Sequence, residues 1–311
     1  MFENIPNKIM ICYSGSKLYG TDTPSSDTDY CGLFMKSKNE LFGLTRGDEY
    51  QASTGDNYSA NSKEDIDSTM YSIHRFFELA MKANPNILEL FFVPESKRLF
   101  TSDLYFEIQS MKDMFITKNL FKSYFGYSNE QRKLLKTKTE RFNALKNSYD
   151  YVTSISNDTL TEYDVQVLSG LHYGAFKNKV GENRAYMVKQ PMQQVRDHLK
   201  KEIDAYGSRA DNIRKYGFEC KFAGHLLRLL YQGLELAETK TIQLPMIEEH
   251  RKVILNTKTG IYTFEEVMEI CDVLFKKFQE VEQNSTLPER SDFDKINKYL
   301  IDLTEKYIKE G

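Results

Sequence analysis

The first apolar run, Ile9-Met10-Ile11-Cys12-Tyr13, is unbroken by polar residues and reads as a strand buried on both faces. Residues 30–35 predict a second short strand and residues 65–71 a third. Ile73, Phe76, Phe77 and Ala80 then recur at helical spacing, which predicts a helix over 72–83. Asn84-Pro85-Asn86 stops it, because proline disfavours the α conformation in the residue before it. Residues 87–92 begin a further apolar segment. The first two strands are separated by a loop rich in Gly, Ser, Thr, Asp and Pro, and the polar stretch 47–64 reads as a long exposed loop. Beyond about residue 100 the periodicity is helical, with candidates at 120–149, 164–177, 191–206, 221–238, 264–283 and 293–309. No internal repeat is visible. The pattern predicts an α+β chain: strands and helices over residues 1–100, then an all-helical domain over 101–311.

Composition changes this picture little. Hydrophobic residues make up 40% and charged residues 28%, ordinary for a globular protein. A net charge of −3 argues against a simple nucleic-acid coat, while leaving room for a local basic groove around an acidic site. The opening Met1-Phe2-Glu3-Asn4 has no signal-peptide pattern and no apolar run approaches bilayer length, so a cytoplasmic protein with no membrane partner is expected. Cys12, Cys31, Cys220 and Cys271 form no C-x-x-C pair and read as buried thiols. His172, His198 and His250 are scattered without metal-ligand spacing, and no G-x-S-x-G elbow or G-x-x-x-x-G-K-[ST] loop occurs.

Candidate chemistry concentrates in residues 15–29. Asp27 and Asp29 are two apart, so on an extended strand their carboxylates share a face. Such a pair repels itself unless a cation is near, and magnesium suits hard oxygen donors. A lone D-x-D is weak, because most are solvated turns. Here Gly15-Ser16 follows a buried strand and Gly20 comes four residues after Ser16. Glycines allow close backbone approach, and N–H groups with the Ser16 hydroxyl can cradle phosphate oxygens. The order is strand, phosphate loop, acidic strand.

This G-S-x-x-x-G-T…S-D-x-D pattern resembles the DNA polymerase β superfamily of nucleotidyltransferases. The resemblance narrows to the RlaP-like, RNA repair-associated group through Tyr71-Ser72-Ile73, the helix after it, Asn84-Pro85-Asn86-Ile87-Leu88-Glu89-Leu90, the run Lys221…His225-Leu226-Leu227-Arg228-Leu229-Leu230, and Leu287-Pro288. Ala83 departs from it, standing where a glycine is expected before Asn-Pro. The resemblance implies a polymerase β-type sheet, two bound Mg²⁺ ions (Mn²⁺ able to substitute) and a third carboxylate from a later strand. Asp67 is the first choice for that carboxylate and Asp65 the second. It also implies transfer of a nucleoside monophosphate from an NTP to a hydroxyl, with an RNA 3′ end, tRNA-like, as acceptor. Nucleotidylation of a protein or small molecule is the alternative, and a catalytically silent nucleotide- or RNA-binding module the third reading.

Several basic groups bear on substrate. Lys221, His225 and Arg228, at i, i+4 and i+7, share one helical face that could meet the triphosphate, although an ordinary solvated face has the same spacing. His74-Arg75 and Lys82 are weaker candidates. Arg132, Lys133, Lys136, Lys138, Arg141 and Lys146, with Phe142, could line an RNA groove or simply form a solvated helix face. Glu89 could brace a metal ligand or a basic residue. Nothing in the sequence bears on the preferred base or on the oligomeric state.

Overall fold

The apolar run at the start of the chain becomes the second-innermost strand of a five-stranded sheet. The computed structural model describes residues 5, 7–24, 26–45, 47–54, 66–171 and 190–310. Strands β1 (Lys8–Tyr13), β2 (Thr28–Phe34), β3 (Glu49–Ser53), β4 (Ile66–Ser72) and β5 (Arg98–Thr101) are ordered β3-β4-β2-β1-β5. Only β2 and β4 run parallel; the other neighbours are antiparallel. The apolar half of β2, Cys31 to Phe34, is buried, while its acidic start is half-buried, which leaves the carboxylates at one open end of the sheet.

Helix α1 (Gly15–Tyr19) joins β1 to β2 and α2 (Lys38–Phe42) follows β2. Helix α3 (Ile73–Met81) buries Ile73, Phe76, Phe77 and Ala80, the stripe read from the sequence. Its first turn is capped by Ser72, whose hydroxyl accepts from the Arg75 N–H. The helix ends at Ala83 with φ +53°, the left-handed region where glycine is at ease. That explains why a glycine is expected there. Pro85 then opens the one-turn α4 (Pro85–Leu88), and Asn84 caps it by accepting from the Asn86 N–H. Phe76, Phe77, Phe91 and Phe115 interlock beneath, with ring centroids 4.9–5.3 Å apart for the pairs Phe76–Phe91, Phe91–Phe115 and Phe77–Phe115. Truncating one such ring costs roughly 3–5 kcal/mol.

The remainder is helical among the described residues: α5 (Asp103–Ser110), α6 (Gly126–Ser154), α7 (Glu162–Leu171), α8 (Met192–Asp204), α9 (Ser208–Tyr216), α10 (Cys220–Thr239), α11 (Glu248–Lys258), α12 (Phe264–Gln283) and α13 (Phe293–Glu310). None is long and apolar enough to cross a membrane. All four cysteines are buried thiols outside any disulfide.

Two expectations need correction, and one further strand carries no signal in the hydrophobic pattern. Strand β3 lies inside 47–64, read as loop; its sequence Glu-Tyr-Gln-Ala-Ser is mostly exposed at a sheet edge and lacks apolar alternation. Strand β5 escaped notice because it is four residues long and also at an edge. The compact units do not divide at residue 100. One comprises Met1–Asn129, Gly224–Asn256 and Met268–Gly311, the other Glu130–Ala223 and Thr257–Val267. The reason is that α13 packs on α3 and most of α10 carries core leucines, so C-terminal helices complete the unit holding the sheet. The helix expected over 164–177 is described to Leu171; its remainder, and Asp65, lie outside the described residues.

Candidate active site

β1 delivers the chain to the open end of the sheet, where Ser14 is extended and its N–H donates to the Asp29 carbonyl at 2.8 Å. Gly15 then turns into α1 with φ +57°. A Cβ at Gly15 would sit 2.4 Å from the Asp29 carboxylate oxygen, far inside van der Waals contact. Two independent demands, positive φ and absent side chain, therefore fix glycine here. The backbone of the Gly15-Ser16 loop lies directly against a carboxylate. Gly20, φ +71°, ends the helix, and a Cβ there would meet Pro245 at 3.0 Å and the Arg251 side chain at 3.1 Å.

Asp29 is the second residue of β2 and pairs in parallel register with Asp67 on β4. The register of the third strand thus brings the first-choice third carboxylate onto the strand next to Asp29. Burial, then the charges of Asp27 and Asp67, push the Asp29 carboxyl up to about 6, while Lys17 pulls it down. The three acids therefore share one electrostatic field. Lys17 was not singled out from the sequence, although it directly follows Ser16. Its ammonium donates to the Thr28 hydroxyl and lies 5.8 Å from the centre of the Tyr13 ring. It is the cation that acts on Asp29.

Among the described residues no three His, Cys, Asp or Glu side chains close into a preformed metal cage. That does not exclude Mg²⁺ from the donor set, because the ion is usually held by one or two carboxylates together with substrate phosphates and water. Asp27, Asp29 and Asp67 offer the hard oxygen donors it takes, and their mutual repulsion is what a cation relieves.

Beneath the loop a buried polar network braces α1. The Tyr19 hydroxyl donates to Glu89 at 2.8 Å, and Arg228 reaches the other Glu89 oxygen at 3.1 Å. The Arg228 guanidinium lies 4.4 Å from the Tyr19 ring centre and donates also to Gln232 at 2.6 Å and Asn86 at 3.2 Å. Asn86 and Glu89 both come from the Asn-Pro-Asn-Ile-Leu-Glu-Leu segment, so that motif fastens Arg228, and through Tyr19 helix α1. Burial pushes the Glu89 carboxyl up, against the pull of Arg228. Glu89 thus braces a basic residue.

This network changes the reading of Lys221, His225 and Arg228. They do not share an open face. Arg228 is 3% exposed within a helix whose Leu226, Leu227, Leu229 and Leu230 are all buried. Burial and the neighbouring Arg228 charge push His225 down to about 3, so its ring is neutral. Since a guanidinium only donates, His225 Nδ1 accepts from Arg228 at 3.3 Å and the ring proton sits on Nε2. Lys221 is exposed and belongs to the other compact unit. Phe142 is likewise unavailable for base stacking: it is fully buried, its ring against Tyr206 at 5.1 Å. His74, Arg75 and Lys82 lie past the far end of β4 from Asp67, with Arg75 and Lys82 paired to Glu78.

Comparison with known proteins fits this geometry. A protein of Enterobacteria phage T4, described as an uncharacterized 38.9 kDa protein in the nrdC-mobD intergenic region, is 25% identical over 288 residues, 84% of this chain and 85% of the phage protein. A nucleotidyltransferase-like protein from Exiguobacterium sibiricum 255-15 aligns over 90% of this chain and 70% of its own at 8% identity, but a TM-score of 0.25 leaves that superposition too loose to argue from. The RlaP family, described as the RNA repair pathway DNA polymerase beta family, matches residues 6–302 and so takes in the loop, all three carboxylates and the Glu89–Arg228 network. The chain belongs to that family, and its sheet is the polymerase β-type nucleotidyltransferase sheet.

Proposed function

We propose that this chain transfers a nucleoside monophosphate from an NTP to a hydroxyl acceptor, releasing pyrophosphate, and that the acceptor is an RNA 3′ end. The observation that carries the reading is the parallel register of Asp29 with Asp67 beneath the side-chain-free Gly15. Asp27 and Asp29 would hold both Mg²⁺ ions, and Asp67 would complete the set and take the proton of the attacking hydroxyl. The ions supply charge neutralisation on the phosphates and a lowered pKa for the hydroxyl. Gly15 and Ser16 would present backbone N–H groups and a hydroxyl to the β- and γ-phosphates, with Lys17 moving from Thr28 to meet them. His225 and Arg228 would act by holding α1 in place. Phosphoryl transfer depends mainly on positioning and charge, so no protein nucleophile is needed.

Support for RNA comes from the family description and from charge distribution. The sheet-bearing unit holds 24 Lys and Arg against 31 Asp and Glu, whereas the helical unit holds 18 against 14. On α6, Lys133, Lys136, Arg141 and Lys146 are exposed, which suits sequence-independent phosphate contact.

The test incubates the protein and Mg²⁺ with each α-labelled NTP and separate pools of RNA, DNA and protein. Label on RNA alone supports the reading. Label on protein or a small molecule replaces the acceptor, and no label anywhere with any pool sinks the transferase reading.

A further inference from the structure

The outer side of β5 borders a groove of about 570 Å³ that no part of the mechanism above uses. Its apolar wall includes Phe92, Val93, Pro94, Phe106 and Ile242; Arg98 and Lys112 supply its cations, Lys112 with Asp113 3.7 Å away as a partly exposed partner. The Arg98 guanidinium lies 5.4 Å from the Tyr105 ring centre and 5.3 Å from that of Phe106. Among the described residues Arg98 makes no ion pair, and its Nε–H is buried without a partner. A half-buried guanidinium with no counter-ion costs free energy that an anion would recover. The Phe106 ring on the groove wall is 50% exposed.

The polar ends that could have read a peptide backbone are already used. The Gln109 amide donates to the Phe91 carbonyl at 2.8 Å and the Tyr105 hydroxyl to the Leu90 carbonyl at 2.9 Å. The Ser110 hydroxyl likewise donates to the Glu107 carbonyl at 2.6 Å, so what chiefly remains to the groove is apolar and ring surface with two cations, beside Thr241. That combination suits a flat base with an attached phosphate, which needs stacking and charge neutralisation more than hydrogen bonds. The size also suits it, since sites for single small ligands run roughly 300–1,000 Å³.

We propose that this groove holds a nucleotide of a single-stranded RNA, its base against Phe106 and Phe92 and its phosphate on Arg98 and Lys112. This deepens the nucleotidyl-transfer reading by giving the acceptor strand a docking site whose lining does not include the carboxylates, and it rests on RNA being the acceptor.

The test is fluorescence-anisotropy binding of a labelled ten-nucleotide RNA in EDTA without NTP, so that binding is read apart from turnover. Arg98→Gln and Phe106→Ala are each expected to weaken binding five-fold or more, with the Arg98→Gln loss shrinking as salt is raised. Leu99→Ala, outside the groove lining, should bind as wild type. Phe106 is exposed enough that its truncation leaves the fold intact, which thermal unfolding checks. Wild-type affinity in both groove variants overturns the proposal. So does an acidic aromatic peptide that binds the groove while the RNA does not. Neither result touches the carboxylate assignment, which label transfer reads independently.

Discussion

At the scale of single residues, Gly15 is the most tightly constrained position in the site. Gly15→Ala would force a Cβ onto the Asp29 carboxylate at a backbone angle that alanine resists, so transfer should fall at least a hundred-fold while far-UV circular dichroism stays native. Near-normal turnover in that variant would mean the loop does not lie against the reacting groups. Asp29 carries a second residue-scale prediction. Its folded carboxyl titrates near 6 and an unfolded one near 3.9, so the native state holds the extra proton between those values. Stability contributed by Asp29 therefore falls as pH rises through that window. In chelator at pH 7.5, Asp29→Asn should be more stable than wild type, by about 1 kcal/mol after allowing for screening of a half-buried group. The difference should close below about pH 4. Equal unfolding midpoints at pH 7.5 would remove the claim that burial and the neighbouring carboxylates hold the Asp29 carboxyl up.

At the scale of elements, the network joining α1, the Asn-Pro-Asn segment and α10 is a buried ion pair satisfied on several sides. Arg228→Met leaves Glu89 charged and buried, which costs about 3–5 kcal/mol by chemical denaturation. The double variant Glu89→Leu/Arg228→Met should recover most of that stability yet remain impaired in transfer, because Tyr19 loses its anchor. Full activity in the double variant would leave the network a purely structural feature. These elements also show what was legible in the sequence. The strand–loop–strand order and the α3 stripe could be read because buried apolar residues repeat at strand and helix periods. Asp67 could be proposed but not separated from Asp65, since which carboxylate lies beside Asp29 depends on strand register, a tertiary property. The face of Lys221, His225 and Arg228 was misjudged for a related reason: spacing gives a side of the helix but not what covers it. Strands β3 and β5 were invisible because edge strands are short and need no apolar alternation. Lys17 could have been found, as a cation directly after Gly15-Ser16.

At the scale of the whole molecule, the chain places its acidic site in a unit with a net negative charge and most of its exposed α6 cations in a unit with a net positive one. Electrostatics then predicts that RNA affinity depends on the helical unit. Replacing Lys133 and Lys136 together with Glu should weaken RNA binding uniformly across sequences and lower the salt dependence by a slope of about 2. An unchanged slope would remove α6 from the interface. The linear division at residue 100 fails at this scale because α10 and α13 return to the sheet-bearing unit, a consequence of packing that no local pattern encodes. The central claim is that Asp27, Asp29 and Asp67 act as one set on an NTP. The measurement that tests it most directly is transfer of α-labelled nucleotide to RNA in Mg²⁺ by wild type and by Asp27→Asn, Asp29→Asn and Asp67→Asn. Wild type is expected to transfer label, and every variant to lose transfer at least a thousand-fold while still folded. Wild-type transfer retained in Asp67→Asn, or in either of the other two, would contradict that claim.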